Sequence, residues 1–188
     1  GISEYLNFYE MDKKLWLYDT FQGMTKPELI DVDLNGNLAE NILNNVLCYS
    51  SLDEVTSIMK TSSYNFTNFK FVAGDICETL CFEKNIPDKI CLLRLDTDWY
   101  KSTKKELEVL YPKLENNGIL IVDDYGHWGG CKTAVDEYFG NNHKFEFIDY
   151  TGIFKIKNIW QEIIDSNDFI TIYDRLNERN GFSVFEKK

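Results

Sequence analysis

KICLLRLDTD, residues 89–98, is a nearly unbroken apolar run that ends on two aspartates, Asp96 and Asp98, one residue apart. An apolar run without polar alternation marks a strand buried on both faces, as in a parallel sheet covered by helices. Its neighbours repeat the theme. LWLYDTF (15–21) and FKFVAGD (69–75) read as strands that also close on an acid, and GILIVDDYG (118–126) as one that closes on two. Helical segments lie between them. SLDEVTSIMK (51–60) opens on Ser51 with Glu54 three residues later, a capping-box pattern. STKKELEVLYPKLENNG (102–118) repeats Leu107, Leu110 and Leu114 at helical spacing, with Ser102 or Thr103 as its cap and Gly118 as its end. A further helix covers CKTAVDEYFG (131–140). FEFIDY (145–150) and GIFKIK (152–157) read as a hairpin joined by a tight turn. Strands alternating with helices predict an α/β fold with a mostly parallel, Rossmann-like sheet and an antiparallel pair at its end.

The chain has 188 residues, of which 44% are hydrophobic, enough for the core of one domain. Its 20 Lys and Arg face 31 Asp and Glu, a net charge of −11 spread along the sequence. That balance disfavours nucleic acid and anionic membrane as partners. The longest apolar runs, such as ILIV at 119–122, fall far short of the roughly 20 residues of a membrane span. No secretory leader is visible at the start, so a cytoplasmic site is expected. Five cysteines (Cys48, Cys77, Cys81, Cys91 and Cys131) without framework spacing read as free thiols in a reducing compartment. With only His127 and His143 to join them, a zinc site is not expected.

In an open α/β sheet, ligands bind beyond the carboxyl ends of the strands. There the sequence places Asp19, Asp75, Asp96, Asp98, Asp123 and Asp124, six acids on one rim. A single aspartate at a strand end is often a turn former or the cap of the next helix, and Asp19 and Asp75 are open to that reading. Four carboxylates brought together by adjacent strands would repel one another strongly without a cation. Hard oxygen ligands point to Mg²⁺, with Mn²⁺ or Ca²⁺ as alternatives.

LYDTFQGM (17–24), GDICETL (74–80), LLRLDTDWYKSTKKELEVLYPKL (92–114), GILIVDDYGHWGGCKTAVDEYF (118–139) and IDYTGIFKIK (148–157) resemble, in order, segments of the macrocin O-methyltransferase family. The resemblance implies a class I methyltransferase sheet and a magnesium-dependent transfer of a methyl group from S-adenosylmethionine to a sugar hydroxyl. It also implies roles for single residues. Asp96, Asp123 and Asp124 would hold the metal and Asp98 would accept the proton. Asp19 would bind the ribose hydroxyls of the methyl donor, and Asp75 would lie near its adenine. His127 is open to two readings, a second base or substrate contact and a structural loop residue. Trp99, Tyr100, Tyr125 and Trp128 are open between sugar contacts and core packing.

By this resemblance residues 1–157 form an N-terminally incomplete methyltransferase domain, and 158–188 an extension whose role is not legible. The extension reads as a helix and a second hairpin about Asn180-Gly181. The family's first strand and Gly-rich loop should precede Gly1, which leaves the centre of the sheet to be filled by a strand from the C-terminal tail or from a second copy of the chain. A homo-oligomer is compatible with that, and the expected partner is a small sugar or glycosylated molecule. Two rivals stand beside the methyltransferase. The Asp96–Asp98 pair also resembles the nucleophile and acid/base of haloacid dehalogenase phosphatases, with Asp123 or Asp124 on the metal, although Tyr100 fits that pattern poorly. The missing first strand favours a third reading, a non-catalytic metal- and sugar-binding remnant.

Overall fold

The computed structural model describes residues 2–43 and 48–140, and beyond them the strand backbones at 146–148, 170–171 and 182–186. A helix α1 (Ile2–Phe8) leads into β1 (Leu15–Asp19), followed by a long connection carrying α2 (Ala39–Ile42) and α3 (Leu52–Met59). Then come β2 (Phe69–Ala73), α4 (Ile76–Thr79), β3 (Ile90–Leu95), α5 (Tyr100–Val109), β4 (Leu114–Val122) and α6 (Gly129–Phe139). Three strands from the last quarter of the chain complete the sheet: β5 (Glu146–Ile148), β6 (Ile170–Thr171) and β7 (Phe182–Glu186).

The sheet has seven strands in the order β2-β1-β6-β3-β4-β7-β5. From β2 to β4 every neighbouring pair is parallel, while β7 runs antiparallel to both β4 and β5. This is the α/β, mostly parallel sheet the sequence predicts. Its centre is occupied by β6, which comes from the tail and pairs with Leu15 and Trp16 on one side and with Leu92 and Leu93 on the other. Of the two sources expected for a central strand, this chain's own tail supplies it. Within the expected hairpin, GIFKIK (152–157) lies outside the described residues, as do the helix expected after 158 and the turn at Asn180-Gly181. Among the described residues β5 pairs with β7.

The strands are buried on both faces because successive side chains point to opposite sides. Leu93, Leu95, Leu120 and Val122 pack with Leu107, Leu110 and Val135 in one core, and Leu92, Ile119 and Ile121 pack with Leu6, Leu15 and Tyr64 in the other. α3 starts as predicted, with the Ser51 hydroxyl accepting from Glu54 N–H and the Glu54 carboxylate accepting from Ser51 N–H at 2.9 Å.

Two expectations are corrected. α5 begins at Tyr100, so Ser102 and Thr103 lie buried inside it rather than capping it, and the Ser102 hydroxyl donates back to the carbonyls of Thr97 and Trp99. Gly118 does not end that helix. Helical geometry stops at Val109, a 3₁₀ turn follows at Tyr111–Lys113 where Pro112 lacks a donor, and Leu114 already belongs to β4. Residues 115–118 bulge out between the pairs Ile90↔Leu114 and Leu92↔Ile119.

A strand flanked on both sides cannot spare a backbone donor. Thr171→Pro in β6 is therefore expected to destabilise the fold by at least about 1–3 kcal/mol, the cost of leaving a buried partner unsatisfied. Denaturant unfolding of the variant against the parent chain measures this, and an unchanged midpoint would show that β6 does not hold the sheet together.

Candidate metal centre and active site

The register Leu95↔Val122 brings the ends of β3 and β4 side by side, and Asp123 N–H donates to the Leu95 carbonyl at 3.0 Å. The next residues on each strand are acids. One carboxylate oxygen from each of Asp96, Asp123 and Asp124 can be chosen so that all three lie within 4.8 Å of one another. Arg94, two residues before Asp96 and on the same face of β3, reaches both outer members, with Nη1 3.0 Å from Asp96 Oδ2 and Nη2 3.1 Å from Asp123 Oδ1. Burial pushes the Asp96 carboxyl up to about 8 against the pull of Arg94, and Asp123 adds to the rise. Asp124 is driven well above the usual carboxylate range, by burial first and then by the charges of Asp98, Asp96 and Asp123.

These residues fit a divalent cation. Three carboxylates less one guanidinium leave two negative charges, which match its charge. Asp124 Oδ2 is buried without a hydrogen-bond partner, an atom that a cation would satisfy. The all-oxygen set favours Mg²⁺, Mn²⁺ or Ca²⁺ over zinc.

Asp98 sits at the corner between β3 and α5 with φ +66°, a conformation that Asp tolerates better than most residues but that still stores strain. Its Oδ1 accepts the indole N–H of Trp128 at 3.1 Å, and its carboxyl also shares a hydrogen bond with Asp124. Burial raises its pKa, and these two hydrogen bonds oppose the rise. Trp128 and Trp99 meet edge to face at 5.1 Å and are 5% and 3% exposed, so packing is the reading that holds for them. Tyr125 is buried in the same core, and Tyr100 donates its hydroxyl to Glu137 at 2.7 Å. His127 lies against Trp128, with ring centroids 4.7 Å apart, in the loop that follows the acidic pair.

Asp19 and Asp75 lie on the same rim at the ends of β1 and β2, across β6 from the trio. Their turns touch, since Gly74 N–H donates to the Asp19 carbonyl at 2.9 Å. Each spends Oδ1 on a local turn: Asp19 accepts from Phe21 N–H, and Asp75 caps α4 by accepting from Cys77 N–H. The structure thus joins Asp96, Asp98, Asp123 and Asp124 in one cluster and leaves Asp19 and Asp75 as a second pair.

Sequence reading missed three charged residues beside the cluster. Arg94 left a signal, a cation inside an otherwise apolar strand. Glu106 on α5 is 3% exposed and accepts the Thr97 hydroxyl at 2.8 Å, at the Asp96–Asp98 corner. Asp31 is 1% exposed and accepts Tyr100 N–H at 2.8 Å. Nothing in the local pattern marks either one as buried.

A mostly parallel sheet with helices on its faces and a carboxylate trio at the ends of adjacent strands defines a protein of the α/β methyltransferase class. Residues 3–157 match the macrocin-O-methyltransferase (TylF) family, and the chain belongs to it. It is 35% identical over 141 residues to demethyldecarbamoylnovobiocin O-methyltransferase of Streptomyces niveus, covering 73% of this chain and 50% of that protein. It is 31% identical over 148 residues to 8-demethyl-8-(2,3-dimethoxy-alpha-L-rhamnosyl)-tetracenomycin-C 4'-O-methyltransferase of Streptomyces olivaceus, covering 76% and 54%. The chain therefore spans about half the length of these relatives. Among solved structures, the O-methyltransferase NovP superposes with a TM-score of 0.66 at 26% identity, over 99% of this chain and 65% of that one. Family membership favours the methyltransferase reading over the haloacid dehalogenase one.

Glu106 supplies a pH test. Burial raises its carboxyl to about 8 from an ordinary 4.5. Between those values the folded protein holds a proton that the unfolded chain has released, so this group's contribution to stability is lost as pH rises through that window. Glu106→Gln keeps an acceptor for Thr97 and removes the titration. Between about pH 5 and pH 8 the parent should lose stability relative to this variant, on the order of a few kcal/mol. Denaturant unfolding of both metal-free proteins at several pH values checks this; parallel pH profiles would refute it.

Proposed function

We propose that this chain is the catalytic part of an S-adenosylmethionine-dependent, Mg²⁺-dependent O-methyltransferase acting on a sugar hydroxyl of a small glycosylated molecule. The observation that carries the reading is the carboxylate trio, with its orphaned buried oxygen, set beside a strained and hydrogen-bonded Asp98 in a chain of this family. A relative named for a rhamnosyl-bearing acceptor supports the sugar.

Asp96, Asp123 and Asp124 would hold the magnesium ion, which when bound supplies a Lewis acid that orders neighbouring substrate oxygens and favours the alkoxide. S-adenosylmethionine supplies the methyl group and would lie toward Asp19 and Asp75. The protein's own part is to orient groups and move a proton. Asp98 takes the proton of the acceptor hydroxyl as the new C–O bond forms and the S–CH₃ bond breaks. Trp128 fixes Oδ1 of Asp98, and Trp99 and Trp128 close the base of the site to water. Arg94 keeps Asp96 and Asp123 in place through both of its terminal nitrogens. His127 contacts the substrate or serves as a second base. The five cysteines lack the spacing of a disulfide framework, in keeping with the reducing, cytoplasmic setting proposed for the chain.

Asp98→Asn keeps a residue that tolerates positive φ and removes the base. It is expected to lower turnover by about 10²–10⁴-fold while leaving Mg²⁺ affinity nearly unchanged. Asp96→Asn is expected to lose both. Equal loss of metal affinity in the two variants would end this division of labour. Calorimetric titration with S-adenosylhomocysteine tests the donor site: micromolar binding supports the enzyme, and no binding at millimolar concentration would favour the non-catalytic remnant.

A further inference from the structure

The connection after β1 does more than link two elements. From the turn at Asp19 it runs through residues 24–38 across the first residues of both α5 and α6, the helices that follow the proton acceptor and the acidic pair. Three hydrogen bonds tie it down. Trp99 Nε1–H donates to the Thr25 carbonyl at 3.0 Å, Tyr100 N–H to Asp31 Oδ1 at 2.8 Å, and Gly129 N–H to the Val32 carbonyl at 2.7 Å.

Asp31 is the centre of this strap. Trp99, at the cap position of α5, makes no side-chain capping bond, so the helix takes its cap from a carboxylate 69 residues away in sequence. The other oxygen, Oδ2, accepts Glu28 N–H at 2.7 Å, and the Asp31 carbonyl accepts Ala39 N–H at 2.8 Å, so the aspartate is fixed from both sides. Gly130, the second residue of α6, makes room for it: a Cβ there would lie 1.9 Å from Asp31 Oδ1. One buried carboxylate thus touches the residue two beyond Asp98 and the helix start that follows Asp123 and Asp124. Asp98 holds a positive φ, and such a conformation persists only where its surroundings over-determine it.

We propose that Asp31 is a positioning residue that locks the Asp98–Trp99–Tyr100 corner against the start of α6 and so sets the orientation of the proton acceptor. The catalytic consequence rests on the methyltransferase reading; the structural one does not. The indole N–H of Trp128 reports the corner directly, because it donates to Asp98 Oδ1. In ¹H–¹⁵N spectra of the metal-free protein, Asp31→Ala and Gly130→Ala should each shift or broaden the Trp128 indole signal, assigned with Trp128→Phe, and leave that of Trp16 unchanged. Measured below the unfolding transition, both variants should lower kcat at least tenfold, with Mg²⁺ affinity within about threefold of the parent. Asp31→Asn, which keeps an acceptor for Tyr100, should restore most of kcat. A role in stability alone would lower Tm and leave the indole signal and kcat unchanged, and that result in a folded variant overturns the proposal. Should Asp31→Ala not fold, Gly130→Ala and Asp31→Asn carry the same test. Should the parent chain transfer no methyl group, the methyltransferase reading fails, and the indole signal alone decides on Asp31.

Discussion

Mutual repulsion among Asp96, Asp123 and Asp124 is the constraint to which the rest of this structure answers. Unit charges within 4.8 Å of each other cost roughly 3–4 kcal/mol per pair at an effective dielectric near 20. Three such pairs approach the whole stability of an ordinary domain, about 5–15 kcal/mol. The fold can accept that arrangement only with compensation. Arg94 offsets part of it, and raised proton affinity at Asp96 and Asp124 offsets more. Both put positive charge among the carboxylates, as a divalent cation there would, and a rim serving only to cap helices would have no reason to gather its acids in one place.

Gathering them requires the ends of β3 and β4 to be level, and it is the sheet that ensures this. Parallel pairing in the register Leu92↔Ile119 through Leu95↔Val122 fixes the two strand ends to within one residue. The central place between β1 and β3 is just as necessary, because those strands carry the two groups of acids and do not pair with each other. A short strand from the tail fills it, parallel to both. The carboxyl ends of all five parallel strands then face one way, which puts Asp19 on the same rim as the trio across one intervening strand, and Asp75 across two. Any ligand that spans from one acid group to the other must cross the end of β6.

The parts of this arrangement legible in the sequence are those set by local pattern. Unbroken apolar runs gave the buried strands, their terminal aspartates gave the rim, and Ser51 with Glu54 gave the start of α3 to the residue. What was not legible depends on partners distant in sequence. Ser102 looked like a cap because Ser commonly is one, but Asp31 caps α5 from across the molecule and the helix starts at Tyr100, two residues before Ser102. Leu114 continued a helical spacing, yet Pro112 removed the donor that the helix needed. Glu106 reads as one more solvent-facing acid on an amphipathic helix. Its burial follows from the way α5 lies over the Asp96–Asp98 corner, where Thr97 supplies a hydroxyl for it.

The same distinction explains why Asp96 and Asp98, one residue apart, differ in kind. Asp96 continues the pleat of β3, so its carboxylate falls on the face of Arg94 and beside Asp123. Had the strand continued, Asp98 would have followed it onto that face. The positive φ at Asp98 breaks the alternation and turns its carboxyl to Trp128 and Asp124. A single backbone angle thus separates an acid held by a guanidinium from one held by an indole and a neighbouring carboxyl. The strain at that angle is maintained from outside, by α5 starting abruptly at Tyr100 and by the buried carboxylate that makes so abrupt a start possible.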